Sequence, residues 1–158
     1  MTRAYLSLGS NIEPKKHLRA ALAELRTRFG AIVESPAYQF GAVGFDGPDF
    51  INLAVGLDAD LEPIALNDWL HMLEDRHGRK RDAPRFSSRT LDVDIVLFGD
   101  RIVHGAGNLA IPRAELAHAF VLQPLADIAA DMMHPVSGKT IAQLWRDCDE
   151  APGASYSL

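Results

Sequence analysis

The fold is decided by the stretch RTLDVDIVLF at residues 89–98. Residues 91–98 are apolar at every position except Asp92 and Asp94, which is typical of a buried strand. Alternate side chains of a strand face the same way. The two aspartates should therefore project together from one face. The other face should carry four side chains toward the core: Leu91, Val93, Ile95 and Leu97.

Upstream of this strand, the sequence alternates between strand and helix patterns. Apolar runs predict three strands, at residues 4–8, 31–38 and 50–57. Pro14 and Pro63 each open a segment with apolar residues at helical spacing, and these segments end at Gly30 and Gly78. Two further helices are predicted downstream, at residues 119–130 and 140–147.

The order of these elements is strand, helix, strand, strand, helix, strand, followed by helices. This order is the split β-α-β pattern of ferredoxin-like α+β folds. We expect a largely antiparallel sheet with helices packed on it. We also expect one domain over residues 1–158 and a poorly ordered tail after Pro152.

Composition excludes several classes of protein. The chain has 158 residues with a formal net charge of −5, which argues against broad nucleic-acid binding. The single cysteine, Cys148, indicates a reducing compartment. The sequence shows no signal-peptide pattern and no apolar run of membrane-spanning length. We therefore expect a cytoplasmic monomer that binds neither membrane nor nucleic acid.

Asp92 and Asp94 are the first candidate site residues. Aspartate is disfavoured in strands, and two like charges on one face repel each other. A divalent cation removes that repulsion, and Mg²⁺ takes one or two carboxylates together with substrate phosphates. We interpret the pair as metal ligands. The alternative is a solvent-facing strand with two incidental aspartates.

A basic cluster precedes the aspartates. Six of the chain's 16 Lys and Arg residues lie within residues 76–89, namely Arg76, Arg79, Lys80, Arg81, Arg85 and Arg89. Guanidinium groups match phosphate oxygens in bidentate fashion, although a charged loop can also be merely solvated. The sequence has no Walker-type glycine loop. A bound nucleotide would therefore be held by side chains and metal.

Several other residues could form a ring-binding site. Asn52 lies in an apolar strand beside Phe50, where its amide could read the edge of a heterocycle or be satisfied by backbone. Phe50 and Phe120 could stack on such a ring or belong to the core.

His71 and Glu74 share one side of the second helix, and both could be ordinary surface residues.

Four stretches together resemble a known family. They are AYLSLGSN at residues 4–11, PDFIN at 48–52, RTLDVDI at 89–95, and AFVL at 119–122 followed by Pro124-Leu125. The sequence resembles the 6-hydroxymethyl-7,8-dihydropterin pyrophosphokinases of folate biosynthesis over nearly its whole length. The most specific of the four is the stretch that carries Asp92 and Asp94.

The resemblance implies transfer of pyrophosphate from ATP to the hydroxymethyl group of a reduced pterin, with release of AMP. It implies that Asp92 and Asp94 hold two Mg²⁺ ions and that Arg79 and Arg89 stabilise charge on the transferring group. The implied pterin contacts are Asn52, Phe50, Phe120 and Val43. The implied ATP contacts are His71, Glu74, Arg81, Arg85 and Ile95.

The sequence departs from the family pattern at four places. Phe40-Gly41-Ala42 replaces a usual Thr-Pro-Pro, Phe86 a usual tryptophan, Pro112-Arg113 a usual Pro-His, and His118 a common arginine. These departures leave an alternative open. The chain could be a divergent paralogue, or a ferredoxin-like module that binds nucleotide or metal without turnover.

Overall fold

The computed structural model describes residues 1–79, 82, 87–107 and 109–158. The strands are β1 (Thr2–Ser10), β2 (Val33–Glu34), β3 (Ala37–Phe40), β4 (Phe50–Ala59), β5 (Asp92–Phe98), β6 (Val103–His104), β7 (Ala110–Ile111) and β8 (Ala154–Tyr156). The helices are α1 (Pro14–Phe29), α2 (Pro63–Arg76), α3 (Ala119–Ala129) and α4 (Ile141–Asp147), with a short 3-10 helix at Ala114–Ala117. Among these described helices, none is long and apolar enough to cross a bilayer.

The main sheet confirms the predicted α+β class. Its strand order is β5-β1-β4-β3-β8, and β2 also pairs with β4. All of these pairings are antiparallel. The first four strands of that order reproduce the ferredoxin-like arrangement, in which the first and third strands of the pattern lie at the centre. Residues on β1 therefore face neighbours on both β4 and β5.

Helices cover both faces of the sheet. Helices α1 and α2 bury Leu18, Leu22, Leu66 and Leu70 against one face. On the opposite face, α3 and α4 bury Leu122 and Ile141 in a second cluster. The site described below lies at one end of this second face, beside the start of α3.

A bulge in β5 corrects one prediction. Tyr5 pairs with Leu97 and Leu6 pairs with Ile95, so Val96 is an extra residue in the ladder. Before the bulge the alternation holds, and Ile95 lies in the first core cluster as predicted. After the bulge Leu97 lies in the second cluster with α3, so its predicted orientation was wrong.

Two further predictions need correction. The strand predicted at 31–38 is divided into β2 and β3, because Pro36 cannot donate to the ladder. Ser35 keeps this edge attached, since its N–H donates to Ala54 O at 2.9 Å and its Oγ accepts from Ala54 N at 2.8 Å. The tail after Pro152 is not disordered, because β8 pairs with β3.

Candidate active site

A cavity of about 1030 Å³ collects most of the predicted site residues. Its lining includes Val43, Phe50, Asn52, His71, Glu74, Arg79, Arg89, Asp92, Asp94 and Phe120. Arg81 and Arg85 lie outside the described residues. The Ile95 side chain packs in the core, on the opposite face of β5 from the aspartates. The Ile95 side chain therefore does not face the cavity, and a contact with ATP stays a prediction only for the backbone of Ile95.

The floor of the cavity is strand β1. Gly9 pairs with Asn52 of β4 on one side and with Asp92 of β5 on the other. Two strand spacings separate Asn52 from Asp92, which is about 10 Å. A Cβ at Gly9 would lie 2.7 Å from Asn52 Nδ2, so glycine leaves the space between the two ends of the cavity open.

Each aspartate faces an arginine. Arg79 Nη1 donates to Asp92 Oδ1 at 2.9 Å. Arg113 Nη2 lies 3.4 Å from Asp94 Oδ1. The two carboxylates are half-buried and project from the same face of β5, as the alternation predicted. The arginines balance the negative charge that the pair brings into the cavity.

The environment of Asp94 disfavours its negative charge. Removal from water raises the pKa of Asp94 well above its ordinary value, and the neighbouring Asp92 carboxylate raises it further. The Arg113 guanidinium acts in the opposite direction. A site of this kind favours an added cation, because the cation relieves the repulsion between the carboxylates.

The donor set suits a hard cation that keeps ligand positions open. The described residues contain no group of three or more His, Cys, Asp or Glu side chains arranged to hold a metal. Asp92 and Asp94 supply oxygen ligands only, which is the preference of Mg²⁺. Mg²⁺ is commonly held by one or two carboxylates plus substrate phosphates, so two aspartates are sufficient.

Glu74 is buried, with only 2 % of its surface exposed, so the interpretation as an ordinary surface residue was wrong. Its Oε2 accepts from the backbone N–H of Val93 at 2.8 Å. The same oxygen lies 3.8 Å from Arg79 Nη1. Glu74 thus joins α2 to the start of β5 and helps to hold Arg79 beside Asp92. His71, one turn earlier, is half-buried and lines the cavity.

Asn11 holds Arg89 and was not predicted as a site residue. Asn11 Oδ1 accepts from the backbone N–H of Arg89 at 2.8 Å, and Asn11 N donates to Arg89 O at 3.0 Å. Its Nδ2 donates to Pro48 O at 3.1 Å. The Arg89 side chain is buried and contacts Ser87 and Ser88 O. In the sequence, Asn11 is marked only as the last residue of the stretch at 4–11 that resembles the family.

Arg113 is a second residue that the sequence did not identify as a site residue. It was noted only as a departure from the family pattern. In the structure its N–H donates to Val96 O at 3.1 Å, which places the side chain above β5. Its guanidinium lies between Asp94 and Glu115, whose Oε2 is 3.2 Å from Arg113 Nε. Arg113 therefore belongs to the charged end of the cavity.

The other end of the cavity is aromatic. Phe50 makes an edge contact with Phe45, with ring centroids 6.3 Å apart and planes at 85°. Phe120 stacks on His118, with centroids 5.3 Å apart and planes at 11°. Both phenylalanines line the cavity, so neither is simply a core residue. Exposed Val43 lies in the loop beside them.

Asn52 carries an unsatisfied polar atom at this aromatic end. The residue is 6 % exposed, and within the described part of the chain its Oδ1 has no hydrogen-bond partner. A buried polar group without a partner is costly, so this oxygen is available to a hydrogen-bond donor that enters the cavity. The alternative, that backbone satisfies the whole amide, is not met in this structure.

The fold and the cavity define a class of protein. It is a ferredoxin-like α+β protein with one elongated cavity. One end of this cavity carries carboxylates and guanidinium groups, and the other end carries a buried amide and aromatic rings. Residues 5–130 match the family of 7,8-dihydro-6-hydroxymethylpterin-pyrophosphokinases (HPPK). The chain belongs to this family.

Individual relatives agree with the family match. A 2-amino-4-hydroxy-6-hydroxymethyldihydropteridine pyrophosphokinase from Pseudomonas aeruginosa is 39% identical over 96% of this chain and 98% of its own length. A protein of the same name from Synechocystis is 41% identical over 92% of this chain and 76% of its own length.

The fold also matches a solved structure. In HPPK-DHPS from Plasmodium falciparum, the matched part superposes with a TM-score of 0.71 at 16% identity. The match covers 92% of this chain and 43% of that longer chain. At this identity the likeness supports the fold alone.

Proposed function

We propose that this chain transfers pyrophosphate from ATP to the hydroxymethyl group of 6-hydroxymethyl-7,8-dihydropterin and releases AMP, a step of folate biosynthesis. The names of its relatives describe this activity. The observation that carries the proposal is that one cavity holds both the carboxylate pair and the unpartnered Asn52 Oδ1. We further propose that residues 1–158 act as one domain and as a monomer.

The aromatic end would bind the pterin. Asn52 Oδ1 can accept a hydrogen bond from an N–H on the edge of the pterin ring. Phe50 and Phe120, which line the cavity, would contact the faces of the ring, and Val43 would cover it. Because the amide oxygen lacks a protein partner, a ring that donates to it gains affinity that a ring without a donor does not.

The charged end would bind MgATP. We propose that Asp92 and Asp94 would hold two Mg²⁺ ions, which would neutralise triphosphate charge when bound. Arg79 and Arg89 would donate to phosphate oxygens, where a guanidinium pairs with two oxygens at once. We propose nucleotide contacts for His71 and Glu74 and for the backbone of Ile95. Arg81 and Arg85 remain predicted nucleotide contacts.

The proposed reaction needs no nucleophile from the protein. The pterin hydroxyl oxygen attacks the β-phosphorus of ATP and releases its proton to solvent, while the bond from that phosphorus to the α–β bridging oxygen breaks. AMP then carries the negative charge of the bridging oxygen. The residues around the cavity contribute by orienting the reactants and stabilising this charge. Arg79 and Arg89 are the side chains proposed for the second task.

One assay tests this proposal. Protein, MgATP and reduced pterin should yield AMP in step with diphosphorylated pterin, and no AMP when either pterin or Mg²⁺ is omitted. Chromatography separates AMP from ADP, which a γ-phosphate kinase would form instead. ADP formation would overturn the proposal. ATP binding without turnover at millimolar nucleotide would favour the non-catalytic module.

A further inference from the structure

Helix α3 begins without a side-chain cap of its own. His118 precedes it in extended conformation and makes no capping hydrogen bond to the helix. The first N–H groups of a helix need external acceptors. Glu150 supplies one, because its Oε1 accepts from Ala119 N at 2.8 Å. A carboxylate at this position also interacts favourably with the positive end of the helix dipole.

The second oxygen of Glu150 contacts His118. Its Oε2 lies 2.9 Å from His118 Nδ1, which donates to it. The His118 ring in turn stacks on Phe120. One carboxylate therefore fixes both the first backbone N–H of α3 and the imidazole against which Phe120 rests.

The segment that carries Glu150 is itself anchored at two positions beyond that residue. Gly153 N donates to Gln123 Oε1 of α3 at 2.7 Å. Three residues later, Tyr156 in β8 pairs with Ala37 in β3. Residues 150–156, here called the C-terminal segment, thus connect α3 to β3. These two elements carry Phe120 and Phe40, both of which line the cavity.

We propose that Glu150 is a positioning residue that sets the affinity of the aromatic end for the acceptor ring, by holding His118 and through it Phe120. The inference rests on the proposed function, in which Phe120 contacts the pterin. Glu150 lies outside residues 5–130, the part that matches the family. Its role therefore comes from contacts in this structure.

Steady-state kinetics with both substrates tests the inference. Glu150→Ala should raise the KM for the pterin about three- to tenfold, the size of one weakened ring contact. The kcat and the KM for ATP should stay within about twofold, because the charged end does not contact Glu150. Glu150→Gln should restore most of the affinity, since an amide can accept from Ala119 N and donate to His118.

Asp149→Ala is the matched control, because it removes the adjacent exposed carboxylate. It should leave all three constants unchanged. If Glu150→Ala does not fold, Glu150→Asp carries the test, since its shorter side chain keeps the charge but cannot span both partners. Pterin binding measured with a non-cleavable ATP analogue gives a second readout that needs no turnover.

The outcomes separate the two proposals. A wild-type protein that forms no AMP overturns the proposed function. A wild-type protein that forms AMP, with an unchanged pterin KM in Glu150→Ala, overturns only the role of Glu150. A parallel rise in the KM for ATP would also overturn it, because the substitution would then loosen the whole cavity.

Discussion

The two ends of the cavity are built in different ways. At the charged end, Asp92 and Asp94 come from one strand, two residues apart, and face arginines at 2.9 and 3.4 Å. At the aromatic end, Phe50 comes from β4 and Phe120 from α3, a helix on one face of the sheet. Gly9 on β1 lies between the ends.

The two ends differ in how far they depend on the packing of distant elements. Strand geometry alone places the two carboxylates side by side, so their relative position depends little on how distant elements pack. Only their arginine partners reach the charged end from elsewhere in the chain. The relative position of Phe50 and Phe120 depends on how α3 packs on the sheet. The charged end is proposed to contact the reacting phosphates and the aromatic end the pterin ring. We therefore expect substitutions at the charged end to lower kcat, and substitutions at the aromatic end to weaken pterin binding.

The largest effect should come from the carboxylates. Asp92→Ala and Asp94→Ala should each lower kcat by about 10³-fold or more, because the metal charge in the transition state is lost. Both variants should still fold, because each change relieves the repulsion between the carboxylates, although it also removes one ion pair with an arginine. Rate assays and thermal melting check this. Near-normal turnover in either variant would show that the substituted aspartate is not an essential metal ligand. It would also contradict the expectation that the charged end controls kcat.

Arg79 should give the next largest effect. Arg79→Ala should lower kcat by about 10²- to 10³-fold, as expected when a donor to developing charge is removed. ATP affinity, measured by calorimetry, should weaken less than kcat falls. Arg101→Ala is a matched control, because Arg101 pairs with Glu62 on the exposed surface. A loss confined to ATP affinity would make Arg79 a ground-state contact.

Asn52 tests the aromatic end. Asn52→Ala should weaken pterin binding about 10- to 100-fold, the size of one buried hydrogen bond, and leave ATP binding unchanged. Gly9→Ala should act in the same direction, because the new Cβ would displace the Asn52 amide. Thr27→Ala is the control, since Thr27 is exposed on α1, where its hydroxyl donates to Ala23 O at 3.0 Å. Unchanged pterin affinity in Asn52→Ala would contradict its assigned role.

The smallest effect concerns the cap of α3 and its pH dependence. The Ala119 N–H lowers the pKa of Glu150, and the hydrogen bond from His118 lowers it further. Because the pKa of Glu150 is lower in the folded protein, its charge stabilises the fold above the pKa of Glu in the unfolded chain, about 4.3. This stabilisation is lost as the pH falls through the pKa of Glu150 in the folded protein. Glu150→Ala should therefore lower Tm by about 1–3 °C at pH 7, and this difference should shrink below pH 4. A difference independent of pH would rule out the charged cap.

Much of the fold follows from local pattern. Pro14 and Pro63 open α1 and α2 because a first-turn residue needs no N–H donor. The order of strands and helices predicted a ferredoxin-like arrangement, and the sheet has it. The alternation around Asp92 predicted that both aspartates face the same way, and both line the cavity.

Other features arise only when distant segments meet. The bulge that turns Leu97 toward α3 depends on how β5 pairs with β1, so alternation within β5 could not predict it. The last residues of the chain form β8 because they pair with the free edge of β3. Their own sequence, rich in small residues, does not predict a strand.

Local patterns in the chain were enough to predict the helices and the shared face of Asp92 and Asp94, and the order of elements along the chain was enough to predict the central sheet. The side chains that reach these elements from distant parts of the chain became visible only in the folded protein. Asn11 clamps Arg89, Arg113 faces Asp94, and Glu150 caps α3 across 31 residues of chain. Strand and helix periods act over a few residues, whereas these contacts depend on where the chain returns after folding.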